Sequence, residues 1–151
     1  MTASLPTFTR TPCNSSRSQG QKANHTGATA EATIYCILKE RGYRVTRQAL
    51  VGEDIYGSEC RVDFLVQGIP GVETGLIIES KWQEKAGSVD QKYPFLVKNV
   101  QERYPYPTMI VHGGNGMRDG SIAWLKNQID GQKLLAVYSF EEFMSWVMRT
   151  L

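Results

Sequence analysis

The stretch Arg61-Val62-Asp63-Phe64-Leu65-Val66, followed by Gly75-Leu76-Ile77-Ile78-Glu79-Ser80-Lys81-Trp82-Gln83, decides how the rest of the chain reads. Both are apolar runs of strand length, yet they carry an Asp, a Glu, a Lys and a Gln. Side chains alternate faces along a strand, so Ile77, Glu79, Lys81 and Gln83 share one side and Leu76, Ile78, Ser80 and Trp82 the other. Charge inside a buried strand is unfavourable unless it is paired or holds a metal ion. Either an ion pair forms, Asp63 or Glu79 with Lys81 or Arg61, or the carboxylates gather around a cation.

The flanking sequence sets the order of elements. Thr26 can cap a helix from Gly27 to about Arg41 that Gly42 closes. Ala28, Ala32, Tyr35, Cys36 and Lys39 fall on one side of it, and Ile34, Ile37 and Leu38 widen the apolar face. Tyr43–Leu50 reads as the first strand and Ser58–Val66 as the second, with Cys60, Val62, Phe64 and Val66 facing one way. Gly68-Ile69-Pro70-Gly71 is a turn, and Thr74–Gln83 is the third strand.

Ser88-Val89-Asp90-Gln91 has capping-box form and opens a helix to about Tyr104, with Pro94 able to delay its start. A strand Thr108–Val111, a flexible Gly113-Gly114-Asn115-Gly116 loop, a helix Gly120–Ile129, a strand Lys133–Tyr138 and a helix capped at Ser139 complete the chain. Three short-linked strands must be largely antiparallel, and the later strands arrive by helical crossovers. The expected fold class is α/β: a central mixed β-sheet, an antiparallel meander plus crossover strands, flanked by α-helices.

The 151 residues suit one domain, expected over 26–151, with residues 1–25 a loosely packed Ser-, Thr- and Pro-rich tail. That tail holds Arg10, Arg17 and Lys22 and no acid, which leaves 14 bases against 15 acids in the remainder. A folded part without net positive charge is not a globally basic nucleic-acid binder, so any such contact must be local. The three cysteines, Cys13, Cys36 and Cys60, have no metal-ligand or disulfide spacing. Cys36 and Cys60 are expected inside as small hydrophobes. No apolar run reaches membrane-span length and no signal-peptide core stands at the N-terminus, so a cytoplasmic protein with no membrane partner is expected.

With the second and third strands as neighbours, Asp63 lies across from Glu79 if their odd-numbered sides agree. Two carboxylates so close call for a cation, and hard oxygen ligands suit Mg²⁺, with Mn²⁺ as its substitute. Lys81, one strand step on, can hold the attacking water and offset phosphate charge. Such a set suits in-line hydrolysis of a phosphodiester.

The motif Val62-Asp63-Phe64, then Ile77-Ile78-Glu79-Ser80-Lys81-Trp82-Gln83, resembles that of the PD-(D/E)XK nuclease superfamily, over roughly residues 27–138. Val62 stands where the motif has Pro. The resemblance implies a restriction endonuclease-like core. It gives Asp63, Glu79 and Lys81 catalytic roles and matches Gln83 to a Glu-x-Lys-x-Gln variant. By the same resemblance the metal is held by Asp63, Glu79 and the Ser80 carbonyl, with Glu31 of the first helix nearby. Lys85, Ser88 and Lys92 beyond the third strand, and Asn115 and Arg118 after the fourth, are candidate DNA contacts. Trp82 and Trp124 are expected in the core, and His112 in a loop.

The expected activity is that of a metal-dependent DNA endonuclease of restriction-like, homing or phage type, acting as a homodimer or higher symmetric homo-oligomer. A Holliday-junction resolvase or exonuclease on the same fold is the alternative. A non-catalytic nucleic-acid-binding module, or a nuclease that acts on RNA, remains a separate reading of the same residues.

Overall fold

The computed structural model describes residues 22–85, 87 and 90–151. Of the tail expected over 1–25, residues 1–21 lie outside the described residues, as does Ser88, while residues 22–25 belong to a helix.

Helix α1 (Lys22–Glu40) is followed by β1 (Arg44–Glu53), β2 (Glu59–Gln67) and β3 (Leu76–Trp82). A single 3₁₀ turn at Asp90–Lys92 leads into α2 (Tyr93–Glu102), then β4 (Thr108–Gly113), α3 (Asp119–Asn127), β5 (Leu134–Ser139) and α4 (Phe140–Thr150). The strands form one sheet in the order β1-β2-β3-β4-β5. β1/β2 and β2/β3 are antiparallel, whereas β3/β4 and β4/β5 are parallel. This is the mixed, helix-flanked α/β sheet the element order implies.

Two apolar layers hold the sheet. On one face Ile34 and Leu38 of α1 and Phe143 and Val147 of α4 pack on Phe64, Val66, Ile78 and Val111. On the other, Tyr93, Leu96, Val97 and Val100 of α2 and Leu125 of α3 pack on Val62, Ile77, Ile110 and Val137. Each fully buried aliphatic side chain contributes about 1.5–3 kcal/mol.

Helix α1 departs from its sequence reading at both the start and the face. It runs from Lys22, so Thr26 lies within it and does not cap it. Its buried stripe is Ala30, Ile34 and Leu38, spaced by four, while Cys36 is exposed. The large aliphatic side chains, not the small residues, set which face turns inward. The C-terminal end is as expected: Gly42, at φ +89°, donates to the Lys39 carbonyl and Tyr43 to the Leu38 carbonyl.

Strand β2 changes face midway. Cys60, Val62, Phe64 and Val66 are all buried, yet the first two join the layer under α2 and the last two the layer under α1. Residues two apart should share a face, so the strand must twist sharply between Val62 and Phe64. The partner strand shows where. Between the pairs Arg47/Phe64 and Ala49/Val62 stands Gln48, with φ +48°. It is the one non-glycine residue with positive φ among the described residues. Beyond this point the β1–β2 hairpin curls over α2, where the Ile55 amide donates to Asn99 Oδ1 at 2.8 Å.

Helix α2 starts at Tyr93, later than the capping box implies, and has no side-chain cap. Pro94 fits only in a first turn, which fixes the start there. The loop after β4 is pinned rather than free. Gln83 N donates to Gly113 O at 3.0 Å, and Gly116 N to Gln83 O at 2.7 Å. A Cβ at Gly114 or Gly116 would overlap the backbone of Gln83 or Lys85, so both glycines permit a close approach of two chain segments.

Candidate active site

The β2–β3 ladder runs from Val66/Leu76 to Phe64/Ile78 and stops. Continued in that register, the next pair would be Asp63 and Glu79. Side chains take the place of the backbone bonds there. Asp63 Oδ2 accepts from Ser80 N at 2.8 Å, and Glu79 Oε1 accepts a longer bond from Asp63 N at 3.4 Å. The local twist at Gln48 turns Asp63 toward β3 instead of over either face. Gln48 Nε2 reaches Asp63 Oδ1 at 3.4 Å.

Lys81 Nζ sits 3.0 Å from Glu79 Oε2 and 3.9 Å from Asp63 Oδ2. Asp63, Glu79 and Lys81 are thus brought together. Glu79 is only 4% exposed. Burial raises its pKa and Asp63 raises it further, while Lys81 opposes them. For Lys81, burial alone would depress the pKa, but the Glu79 and Asp63 carboxylates more than offset it and the ammonium is held. Tyr104, buried at the end of α2, donates to Glu79 Oε1 at 3.5 Å. Burial and the adjacent carboxylate keep its hydroxyl protonated.

Glu79, Lys81 and Tyr104 open into a cleft of about 640 Å³ between α1, α2 and the curled hairpin. Glu31 of α1 lines it together with Glu79, Ser80 and Lys81. Arg47 stands 3.8 Å from the Glu31 carboxylate and lies over the rings of Tyr35 and Phe64. The Glu31 pKa is raised, first by burial and then by Asp63, against Arg47 and Lys81. Lys92 also lines the cleft. Its titratable lining comprises the acids Glu31, Asp54, Glu59 and Glu79 and the bases Arg61, Lys81 and Lys92, together with Cys60, Tyr93 and Tyr104.

A family model described as a PD-(D/E)XK nuclease superfamily domain matches residues 22–151. The chain belongs to the PD-(D/E)XK nuclease superfamily. No curated protein and no solved structure matches it significantly. The family match covers the whole described sheet and its four helices, so the α/β core is that of a PD-(D/E)XK nuclease.

Nucleases of this superfamily generally use divalent metal ions. Asp63, Glu79, Glu31 and the Ser80 carbonyl are all oxygen donors, the chemistry that suits a hard cation. Among the described residues no three His, Cys, Asp or Glu side chains stand together as a ready-made metal cluster. Asp63, Glu79 and the Ser80 carbonyl would leave about half the positions of a six-coordinate ion to water, which Mg²⁺ tends to keep.

Other expected residues lie apart from the carboxylates. Gln83 is 5% exposed beyond the end of β3. Its Nε2 donates to Gly116 O at 3.0 Å and its Oε1 accepts from Asp90 N at 3.2 Å, so the carboxamide holds backbone. Lys85 and Asn115 are exposed on the pinned loops. Arg118 Nε is bound to Asp90 Oδ2 at 2.6 Å. His112 lies in β4, not in a loop, and its buried Nε2 has no hydrogen-bond partner among the described residues. Burial lowers its pKa. Trp82 packs edge-on against Phe140, while Trp124 is 38% exposed rather than in the core.

Arg47, Gln48, Tyr104 and Asn99 escaped the sequence reading. Arg47 had one signal, a long cation on the strand side facing an acid-bearing helix. The other three gain their partners only through tertiary packing. No helix among the described residues is long and apolar enough to cross a membrane.

Proposed function

We propose that this PD-(D/E)XK nuclease is a metal-dependent DNA endonuclease, with Asp63 and Glu79 as ligands of Mg²⁺ or Mn²⁺ and Lys81 at the nucleophile. One observation carries the reading: Asp63 and Glu79, from two strands, share one lysine, and that lysine lines a cleft together with Glu79. The acids along that cleft would repel a phosphodiester, so a cation is needed for the substrate to approach. When bound, the ion supplies charge neutralisation and a water of lowered pKa.

The chain's own residues do the rest. The Ser80 amide fixes Asp63, and the Asp63 amide and Tyr104 hydroxyl fix one oxygen of Glu79. The other Glu79 oxygen faces Lys81. The Lys81 ammonium can orient an attacking water and stabilise negative charge developing on the phosphoryl oxygens. Glu31 and the Ser80 carbonyl complete the donor set. Lys92 lines the cleft and is the candidate to meet a neighbouring phosphate, and Lys85, Asn115 and Arg118 are outer contacts. Gln83 acts by holding the 113–116 loop rather than by touching substrate. Cutting both strands would require two sites, which favours a symmetric dimer.

The experiment compares linear, supercoiled and four-way-junction DNA with Mg²⁺ or Mn²⁺ and with chelator. Discrete fragments support the endonuclease, junction nicking a resolvase and progressive end loss an exonuclease. A requirement for a 2′-OH would move the substrate to RNA. Intact DNA of every form with either metal would overturn the catalytic reading.

The 3.0 Å Lys81–Glu79 contact favours a second reading, in which the lysine closes the site and the protein only binds nucleic acid. That reading requires salt-sensitive binding that is independent of metal and survives K81A and E79Q.

A further inference from the structure

Tyr56 has 79% exposure, the highest of the large apolar side chains among the described residues. Its backbone is nevertheless tied down. Asp54 Oδ1 accepts from both Tyr56 N and Ser58 N, at 2.8 and 3.0 Å, and Gly57 N donates to Asp54 O at 2.9 Å. The preceding amide, Ile55 N, is anchored to the buried Asn99 of α2. The Tyr56 ring lies on Phe95 with centroids 5.3 Å apart and planes 21° from parallel. One face is covered and the other is offered to solvent.

Sealing α2 does not explain this arrangement, because a side chain recruited as a cover would bury its own surface. A near-parallel stack with an open outer face is the shape that accepts another flat ring. Its surroundings say which ring. Phe95 lines the same cleft as Glu79 and Lys81, and Lys92, one helical turn before it, lines that cleft too. Arg61 adds a third cation to the lining. Tyr56 adjoins that lining through its stack on Phe95, so a strand held at Lys92 and Lys81 would pass beside the platform. A base inside a regular duplex keeps both faces stacked on its neighbours, so only an unpaired or splayed base can use the platform.

We propose that Tyr56 on Phe95 is a stacking platform for an unpaired base beside the phosphate in the cleft, so that the protein selects single-stranded, bulged or branched nucleic acid over uniform duplex. The substrate class rests on the nuclease reading of the cleft, but the platform is tested by binding alone. Fluorescence anisotropy with the full chain would compare a single-stranded oligonucleotide, a uniform duplex and the same duplex with a three-nucleotide bulge.

The wild-type protein should prefer the single strand and the bulge. Y56A should lose roughly tenfold or more on those two and nothing on the duplex. Y56W should restore the preference, which a merely structural role would not require. A 2-aminopurine at the bulge should be quenched by the wild-type protein and not by Y56A. Equal binding by Y56A and wild type, an equal loss on all three ligands, or a wild-type preference for uniform duplex would overturn the platform. Absent cleavage with the Tyr56 effect intact would remove the nuclease reading and leave the platform standing. Normal cleavage with no Tyr56 effect would do the reverse.

Discussion

Gln48 meets Asp63 across the β1–β2 pair from a left-handed backbone, φ +48°, with its Nε2 3.4 Å from Asp63 Oδ1. Arg61 braces the same turn of chain by donating to Gln48 O at 3.1 Å. The twist that sends Val62 and Phe64 to opposite faces is also what aims Asp63 at Ser80. Backbone strain of this kind clusters at functional sites, and here it stands beside a candidate metal ligand.

Relieving that strain should separate stability from activity. Q48G accepts the positive φ, so its stability should rise by up to about 1 kcal/mol. Asp63 loses its amide neighbour, and cleavage should fall several-fold. Urea melts and initial cleavage rates of Q48G and Q48N check both halves, since Asn tolerates the backbone and keeps a shorter amide.

Removing Lys81 leaves Glu79 and Asp63 facing each other without their cation. K81A should lose about 2 kcal/mol, less than a fully enclosed pair would, because the Lys81 side chain keeps 30% exposure. Millimolar Mg²⁺ or Mn²⁺ should return most of that loss by binding the folded state. Thermal melts with metal and with chelator read the effect, and the double variant K81A/E79Q should show no such recovery.

The pinned loop makes a separate prediction. G116A forces a Cβ into the Lys85 backbone and should destabilise by about 1–3 kcal/mol. Q83A leaves Gly116 O and Asp90 N without their side-chain partner and should lose a similar amount. Both act on one contact, so the double variant should lose less than the sum. Denaturant midpoints of the three variants decide it.

Asp90 sets an acid limit. Its pKa is lowered, first by the hydrogen bond from Arg118, with Ser121 adding to it. A carboxyl depressed in the folded state contributes stability that is present above its unfolded value, about 3.9, and lost as pH falls through the lower folded value. The stability gap between wild type and D90N should therefore be open at pH 6 and narrower at pH 2. Urea melts at both pH values measure it, and R118A should narrow the gap.

Much of the site was legible in one dimension because strand alternation is local. Acids and a lysine at Asp63, Glu79 and Lys81 interrupt apolar runs, and the register that aligns Phe64 with Ile78 brings the first two together. The Ser139 cap and the Gly42 stop were equally readable, since each rests on bonds within a few residues. The face of α1 was not, because several apolar stripes coexist on that helix and packing chooses among them. The placing of Gln83 was also hidden, because its partners Gly116 and Asp90 belong to other segments.

The sequence by itself determined the order of elements, the mixed sheet and the acid–lysine motif, all products of local periodicity and short connections. Only the tertiary structure decided that β2 changes face at Asp63, that Arg47 steadies Glu31, and that Tyr56 stacks on Phe95 of the cleft lining. Those outcomes depend on how a twisted hairpin packs against α2. Packing of that kind joins residues far apart in the chain and leaves no period in the sequence.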